Sequence, residues 1–238
     1  MHPATNTRKN FAVITCEHGG RAVPNAYAAL FAGQQAVLES HRGWDPGALT
    51  LGQQIADRLG VPLHAATTTR LLVELNRSIG HPQLFSEFTR DLPPTQRQRI
   101  LQHHYRPHRD AVEAAIAGHI AAGYRVIHIA SHSFTPVMNG LVRHADVAWL
   151  YDPRRGAEKA FVAAWLKGFS QHAPALRLRR NYPYRGRDDG LTALLRKRFS
   201  NETYVGVELE VNQSFVQQGG DSWAALRTAM ADSLALTL

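Results

Sequence analysis

The chain has 238 residues, 44% hydrophobic and 19% charged, with a single cysteine. That is enough for one large α/β domain of ordinary soluble composition, and it excludes an internal disulfide framework. No apolar run reaches the ~18–20 residues of a membrane span. The opening MHPATNTRKN is polar, and the short apolar run behind it lacks a secretion signal's hydrophobic stretch and cleavage site, so a reducing, cytoplasmic setting is expected. The formal charge of +8 comes from 27 Lys+Arg against 19 Asp+Glu. The arginines are dispersed and no basic run is interleaved with aromatics, so the field fits small anions better than nucleic acid.

In chain order, FAVITC (11–16) predicts a strand that runs directly into Glu17, His18 and the Gly19-Gly20 pair. GALTLGQQIADRL (47–59) repeats apolar residues at Leu49, Leu51, Ile55 and Leu59, a helical period, with Asp45 and Pro46 as start signals. VPLHAAT (61–67) and LLVEL (71–75) read as two more strands. The stretch 94–123 reads as a long helical region interrupted at Pro107. YRVIHIAS (124–131), VAWLY (147–151), LRLRRN (176–181) and TYVGVELEV (203–211) are strand-like, and 158–173 and 222–236 are amphipathic helices. Strands alternating with helices predict an α/β fold: a single-domain three-layer α/β/α arrangement with a mixed, largely parallel sheet. Residues 1–10 are expected to form a flexible N-terminal segment ahead of one domain over 11–238.

Ligands in open α/β sheets bind at the carboxyl ends of strands. His18, His132 and the pair Glu208 and Glu210 fall at such ends, and Asp45 precedes a helix. Two imidazoles and a carboxylate suit a zinc site that keeps one position open for water, with a further carboxylate as general base. Glu208 and Glu210 share a strand face, and Glu210 lies nearer the strand's end. Each residue also has a plain structural reading: hydrogen-bonded histidines, Asp45 as a helix cap, a solvated glutamate pair, glycines that only turn the chain. A covalent mechanism through Cys16, Ser131 or Ser133 is the rival. Cys16 lies inside an apolar strand and neither serine sits in a GxSxG elbow. Arg70 and Asn76-Arg77 either grip a substrate carboxylate or form a surface pair.

Six stretches then carry a resemblance: CEHGG (16–20), WDPGA (44–48), TRLLVELNR (69–77), SHSFTP (131–136) followed by Gly140 and Arg143, NYPYRGRDDG (181–190) and VELEVNQ (207–213). In this order the chain resembles the N-formylglutamate amidohydrolase family, whose fold is similar to that of zinc carboxypeptidases and cell-wall amidases. The resemblance implies a phosphorylase/hydrolase-like fold and a metal-dependent hydrolase of a small anionic N-acyl amino acid such as N-formylglutamate. Zinc (Zn2+), one ion per chain, is the implied cofactor. By position His18, Asp45 and His132 match the metal ligands, and Glu210 matches the general base. Asn76 and Arg77 match the pair that holds the substrate's α-carboxylate; Arg70 and Arg143 look like further anion-binding positions, with Arg143 or Arg185 available to read a side-chain carboxylate. HYRPHRDAV follows the family's Tyr-Arg-Pro-aromatic-His pattern only loosely, with Arg109 in place of the histidine. No nucleic-acid or membrane partner is expected. The alternatives are a zinc peptidase or cell-wall amidase on the same fold and, in a different class, a basic nucleic-acid-binding protein. Glu17 and Glu208 receive no role.

Overall fold

The computed structural model describes residues 8–238. Most of the N-terminal segment expected over 1–10 therefore lies outside the described residues, and Asn10 already opens the first strand. The elements follow in order: β1 (Asn10–Cys16), α1 (Gln35–Glu39), α2 (Ala48–Leu59), β2 (Leu63–Ala65), α3 (Pro94–Ile100), α4 (Arg106–Ala121), β3 (Arg125–Phe134), β4 (Val137–Met138), β5 (Leu141–Val142), β6 (Val147–Leu150), α5 (Gly156–His172), β7 (Leu178–Arg180), α6 (Leu191–Arg198), β8 (Tyr204–Asn212), α7 (Gln213–Gln218) and α8 (Gly220–Thr237). Six strands form one sheet in the order β2-β1-β3-β8-β6-β7. The first four run parallel; β6 turns antiparallel against β8, and β7 runs parallel to β6. Strands β4 and β5 make a separate hairpin.

Alternation along the strands makes the three layers. Ala12 and Ile14 of β1 and Ile127 and Ile129 of β3 face α2, α5 and α8, joining Leu51, Ile55, Trp165, Phe169, Met230 and Leu234 in the larger core. Phe11, Val13 and Val126 face the other way, against Val112 and Ile116 of α4 and Leu191 and Leu195 of α6. Trp165 is fully buried and donates its indole N–H to Ser233 Oγ at 3.0 Å, so this large side chain leaves no polar atom unpaired.

Two elements differ from expectation. Pro107 does not interrupt the helical region. The backbone widens into one π turn over Leu101–Tyr105, and Pro107 falls in the first turn of α4; the missing N–H and the ring's clash with the preceding turn are absorbed by this wider loop of backbone. The LLVEL run is not a strand but a turning segment buried among loops, with Leu71, Leu72, Val73 and Leu75 packed on Phe31, Leu38, Leu84, Ile100 and Tyr105.

The face of the sheet under α4 and α6 is polar toward its carboxyl end. His128 bridges Tyr204 Oη and Thr15 Oγ1 at 2.8 and 2.9 Å. Burial pushes its imidazole down to about 4, so one ring nitrogen donates and the other accepts. The unfolded imidazole titrates near ~6.5. The stability this neutral histidine contributes is therefore complete above that pH and is lost as pH falls toward 4. In urea unfolding of wild type and H128Q, the difference between the two is expected to shift toward wild type, by a few kcal/mol, as pH rises from 4 to 6.5. A pH-independent difference would show that His128 is not the titrating group.

Candidate active site

At the carboxyl end of β1 the chain stays paired to the segment after β2. Ala66 N donates to Cys16 O, and Gly19 N donates to Ala66 O, both at 2.9 Å. A Cβ on Gly20 would lie 2.5 Å from Thr67 O, so only glycine allows this approach. It draws residues 69–77 against His18. Within that segment, side-chain donors take the place of a neighbouring strand: Ser86 bonds Leu71 O, Thr89 bonds Leu72 O at 3.1 Å and Arg109 bonds Leu75 O at 2.7 Å. With its carbonyls satisfied, the run turns, and Arg70, Glu74, Asn76 and Arg77 reach the site.

Asp45 does not cap α2, which begins after Gly47 at φ 81° with no side-chain cap. Its N–H donates to His18 O at 2.9 Å and its carboxylate turns inward. Oδ2 lies 3.2 Å from His18 Nδ1 and 3.0 Å from His132 Nδ1, while Oδ1 accepts from Arg70 Nη1 at 3.0 Å. The structure thus brings His18, Asp45 and His132 together, all buried, with one donor atom from each inside 4.8 Å.

Behind each imidazole stands another buried carboxylate. His18 Nε2 bonds Glu74 Oε1, which also accepts from Asn76 N at 2.8 Å; Glu74 Oε2 accepts from Arg70 Nε at 2.7 Å. His132 Nε2 lies 3.1 Å from Glu17 Oε2, out of line for a straight hydrogen bond. Both rings therefore direct Nε2 to a carboxylate and Nδ1 to a common point, the arrangement in which an outer carboxylate fixes a metal-ligating histidine. Burial works to raise all three carboxyl groups and is outweighed in each. His108 and His132 hold Glu17 well below the usual carboxylate range, His18 and Arg70 do so for Asp45, and Arg70 and His18 for Glu74. The donor set, two imidazole nitrogens and a carboxylate oxygen, fits a borderline divalent cation.

Glu210 on β8 is the register neighbour of His132 on β3. Its Oε2 is buried without a hydrogen-bond partner. Burial, with Asp45 and Glu208 adding to it, pushes its carboxyl up to about 8, the state suited to taking and returning a proton. Glu208 is occupied differently, accepting from the Thr192 hydroxyl at 2.8 Å. Both line a cavity of about 170 Å³ that also touches His18, Asp45, His132 and Arg77.

The remaining expected site residues separate. Arg77 anchors Nη1 on the Asn76 and Asp189 carbonyls, both at 2.9 Å, and Asn76 Oδ1 accepts from Leu191 N at 2.7 Å; both residues line the cavity. Arg70 lines it too, yet its guanidinium is committed to Asp45 and Glu74. Arg143 does not line the cavity itself but contacts Tyr184, which does: it lies 5.1 Å over that ring and donates to its hydroxyl at 3.2 Å, whereas Arg185 lines the cavity directly. Ser131 and Ser133 donate to the Ala48 and Pro46 carbonyls, and burial raises the Cys16 thiol, so none of the three is poised as a nucleophile. Sequence reasoning missed Glu17 and Glu74. The available signal for Glu17 was alternation, since Thr15 and Glu17 share the sheet face of His128 and His132. In a metal-competition assay with a chromophoric chelator, E74Q and E17Q are expected to weaken divalent-metal affinity by about 10–100-fold. Unchanged affinity in both would remove their orienting role.

The chain matches the family model described as N-formylglutamate amidohydrolase over residues 11–216. Among solved structures, a gene product of Agrobacterium tumefaciens superposes with a TM-score of 0.82 at 27% identity, covering 97% of this chain and 91% of that one. The N-formylglutamate amidohydrolase of Ralstonia eutropha JMP134 superposes with a TM-score of 0.69 at 17% identity, covering 97% and 95%, and shares the fold. No curated protein matches the chain.

Proposed function

Because the chain belongs to the N-formylglutamate amidohydrolase family and is an amidohydrolase, we propose that it cleaves the amide bond of a small N-formyl or N-acyl amino acid such as N-formylglutamate. In this reading His18, Asp45 and His132 hold one zinc ion and Glu210 is the general base. The observation that carries it is the convergence of two Nδ1 atoms on one Asp45 oxygen, at the wall of a cavity that holds an unpartnered glutamate.

Zinc bound by such ligands polarises a carbonyl and brings the pKa of its water toward ~7. Glu210 takes the proton of the attacking water and returns it to the amide nitrogen as the C–N bond breaks, giving the free amino acid and formate from an N-formyl substrate. A cation held beside it would lower the Glu210 carboxyl from its value of about 8 and favour the ionised form that a base needs. Arg77, with Asn76 beside it in the cavity wall, holds the substrate's α-carboxylate. Arg70 offsets the charge of Asp45 and Glu74, and Arg185 is the better placed reader of a side-chain carboxylate.

The size of the cavity, about 170 Å³, favours a small molecule over a peptide or cell-wall strand. Several arginines are tied to carboxylates within the fold, as at Arg58, Arg155, Arg177, Arg196 and Arg198. Among the described residues no helix is long and apolar enough to cross a membrane.

Elemental mass spectrometry of the dialysed protein is expected to find about one zinc per chain, and removal by chelation to abolish hydrolysis of an N-formyl amino acid panel until zinc is restored. No zinc bound or taken up would overturn the metal assignment. E210Q is expected to keep its zinc and lose 10²–10⁴ in kcat, on the order of a general base's contribution; full turnover with zinc retained would sink that role. R77A should raise KM by roughly tenfold or more with a smaller change in kcat, the mark of lost ground-state binding.

A further inference from the structure

Glu17 has a second neighbour. Its Oε2 faces His132, while its Oε1 lies 3.2 Å from His108 Nε2. The carboxylate is buried, so it stands between two imidazoles placed back to back. His108 sits in the first turn of α4, and with Nε2 against Glu17, Nδ1 is the nitrogen left for the open cavity that it lines. This cavity, about 410 Å³, is separate from the active-site cavity. Its wall also carries His64 from β2 and His103 and His104 from the π turn, so four of the chain's 13 histidines meet there. His104 and His108 are four residues apart along the helical run, close to one face. Among the described residues, no protein hydrogen bond engages the ring nitrogens of His64, His103 or His104.

We propose that this cavity is a second divalent-metal site, taking a borderline cation such as Zn2+ through His108 Nδ1, His64 and His104, with His108 oriented by the same buried carboxylate that faces His132. Imidazole is the ligand type such cations prefer, and a carboxylate on the far nitrogen is what orients a ligating histidine and raises its basicity. Burial, with His108 for His64 and His103 for His104, holds these two imidazoles below their usual value, so they are neutral and free to ligate at neutral pH. The site is less preformed than the first: among the described residues only His18, Asp45 and His132 already converge. Binding therefore includes rotation of the half-buried His64 and His104 side chains, with water completing the coordination. Two cations sharing one carboxylate also repel across it. Both effects make the second site the weaker one.

The test is calorimetric titration of the metal-free full chain with Zn2+. Wild type is expected to take up two equivalents, the second at least tenfold weaker. H64A/H104A, changed only at half-buried positions, is expected to keep the tight equivalent and lose the weak one, and H64Q alone to weaken it. D45N is expected to do the reverse, losing the tight equivalent and keeping the weak one. A single equivalent in wild type that survives H64A/H104A, or a second equivalent unaffected by that change, overturns the proposal. A single equivalent that disappears in H64A/H104A and survives D45N would support this site and overturn the first one, so the two readings fail separately.

Discussion

Charge balance in a buried space is the constraint on which the rest of the structure depends. Glu17, Asp45 and Glu74 are buried and held ionised, and Arg70 is the one guanidinium in contact with them. Three negative charges against one positive leave two uncompensated when both imidazoles are neutral. Burying unpaired carboxylates costs several kcal/mol each, and protons on the facing imidazoles, His18 and His132 with His108 beside Glu17, or a bound divalent cation would offset it. The raised proton affinity of both rings, produced against burial by these carboxylates, is the first solution. The second would use the same nitrogens, since a divalent cation held there would replace the protons and close the charge.

The fold supplies this arrangement at differing levels of rigidity. His132 and Glu210 stand on β3 and β8, the two central strands of the sheet, in register with each other. Sheet hydrogen bonds on both sides fix their separation. His18 comes one step past the end of β1, held by a backbone bond to Asp45. Arg77 and Asn76 come from a loop, but one whose apolar residues are packed as tightly as a core. His132 and Glu210 thus rest on strands, while Arg70, Glu74, Asn76 and Arg77 share one packed loop, so the charge cluster and the cavity wall beside it depend on the same packing.

Legibility followed the range of the interactions. Strands β1, β3 and β8 declared themselves through local apolar pattern, and placing His18, His132 and Glu210 at their carboxyl ends required only that pattern and the general position of ligand sites in α/β sheets. LLVEL misled because apolar composition reports burial and not the identity of the backbone's partners. Those partners are Ser86, Thr89 and Arg109, 15 to 34 residues distant, and nothing in the run itself announces them. Pro107 misled for the opposite reason: its local rule is sound, but a π turn satisfies it without ending the helix. Arg143 and Arg185 could not be ranked from sequence, since the difference between them, a contact with Tyr184 for one and a place in the cavity wall for the other, is tertiary.

Arg70, Glu74 and Arg77 show why residue type alone does not assign a role within this segment. The Arg70–Glu74 pair spans four residues and reads as an ordinary local ion pair. Folding adds Asp45 to one end and His18 to the other, so the same pair becomes the support of two members of the buried cluster. Three residues on, Arg77 is held by carbonyls instead of carboxylates. A carbonyl fixes a guanidinium without cancelling its charge, whereas a carboxylate fixes and cancels it together. Arg77 therefore stands at the cavity wall with no carboxylate hydrogen-bonded to its guanidinium among the described residues, whereas Arg70 is bonded to two. The difference lies entirely in the partners, and those are set by how the buried leucines around them pack.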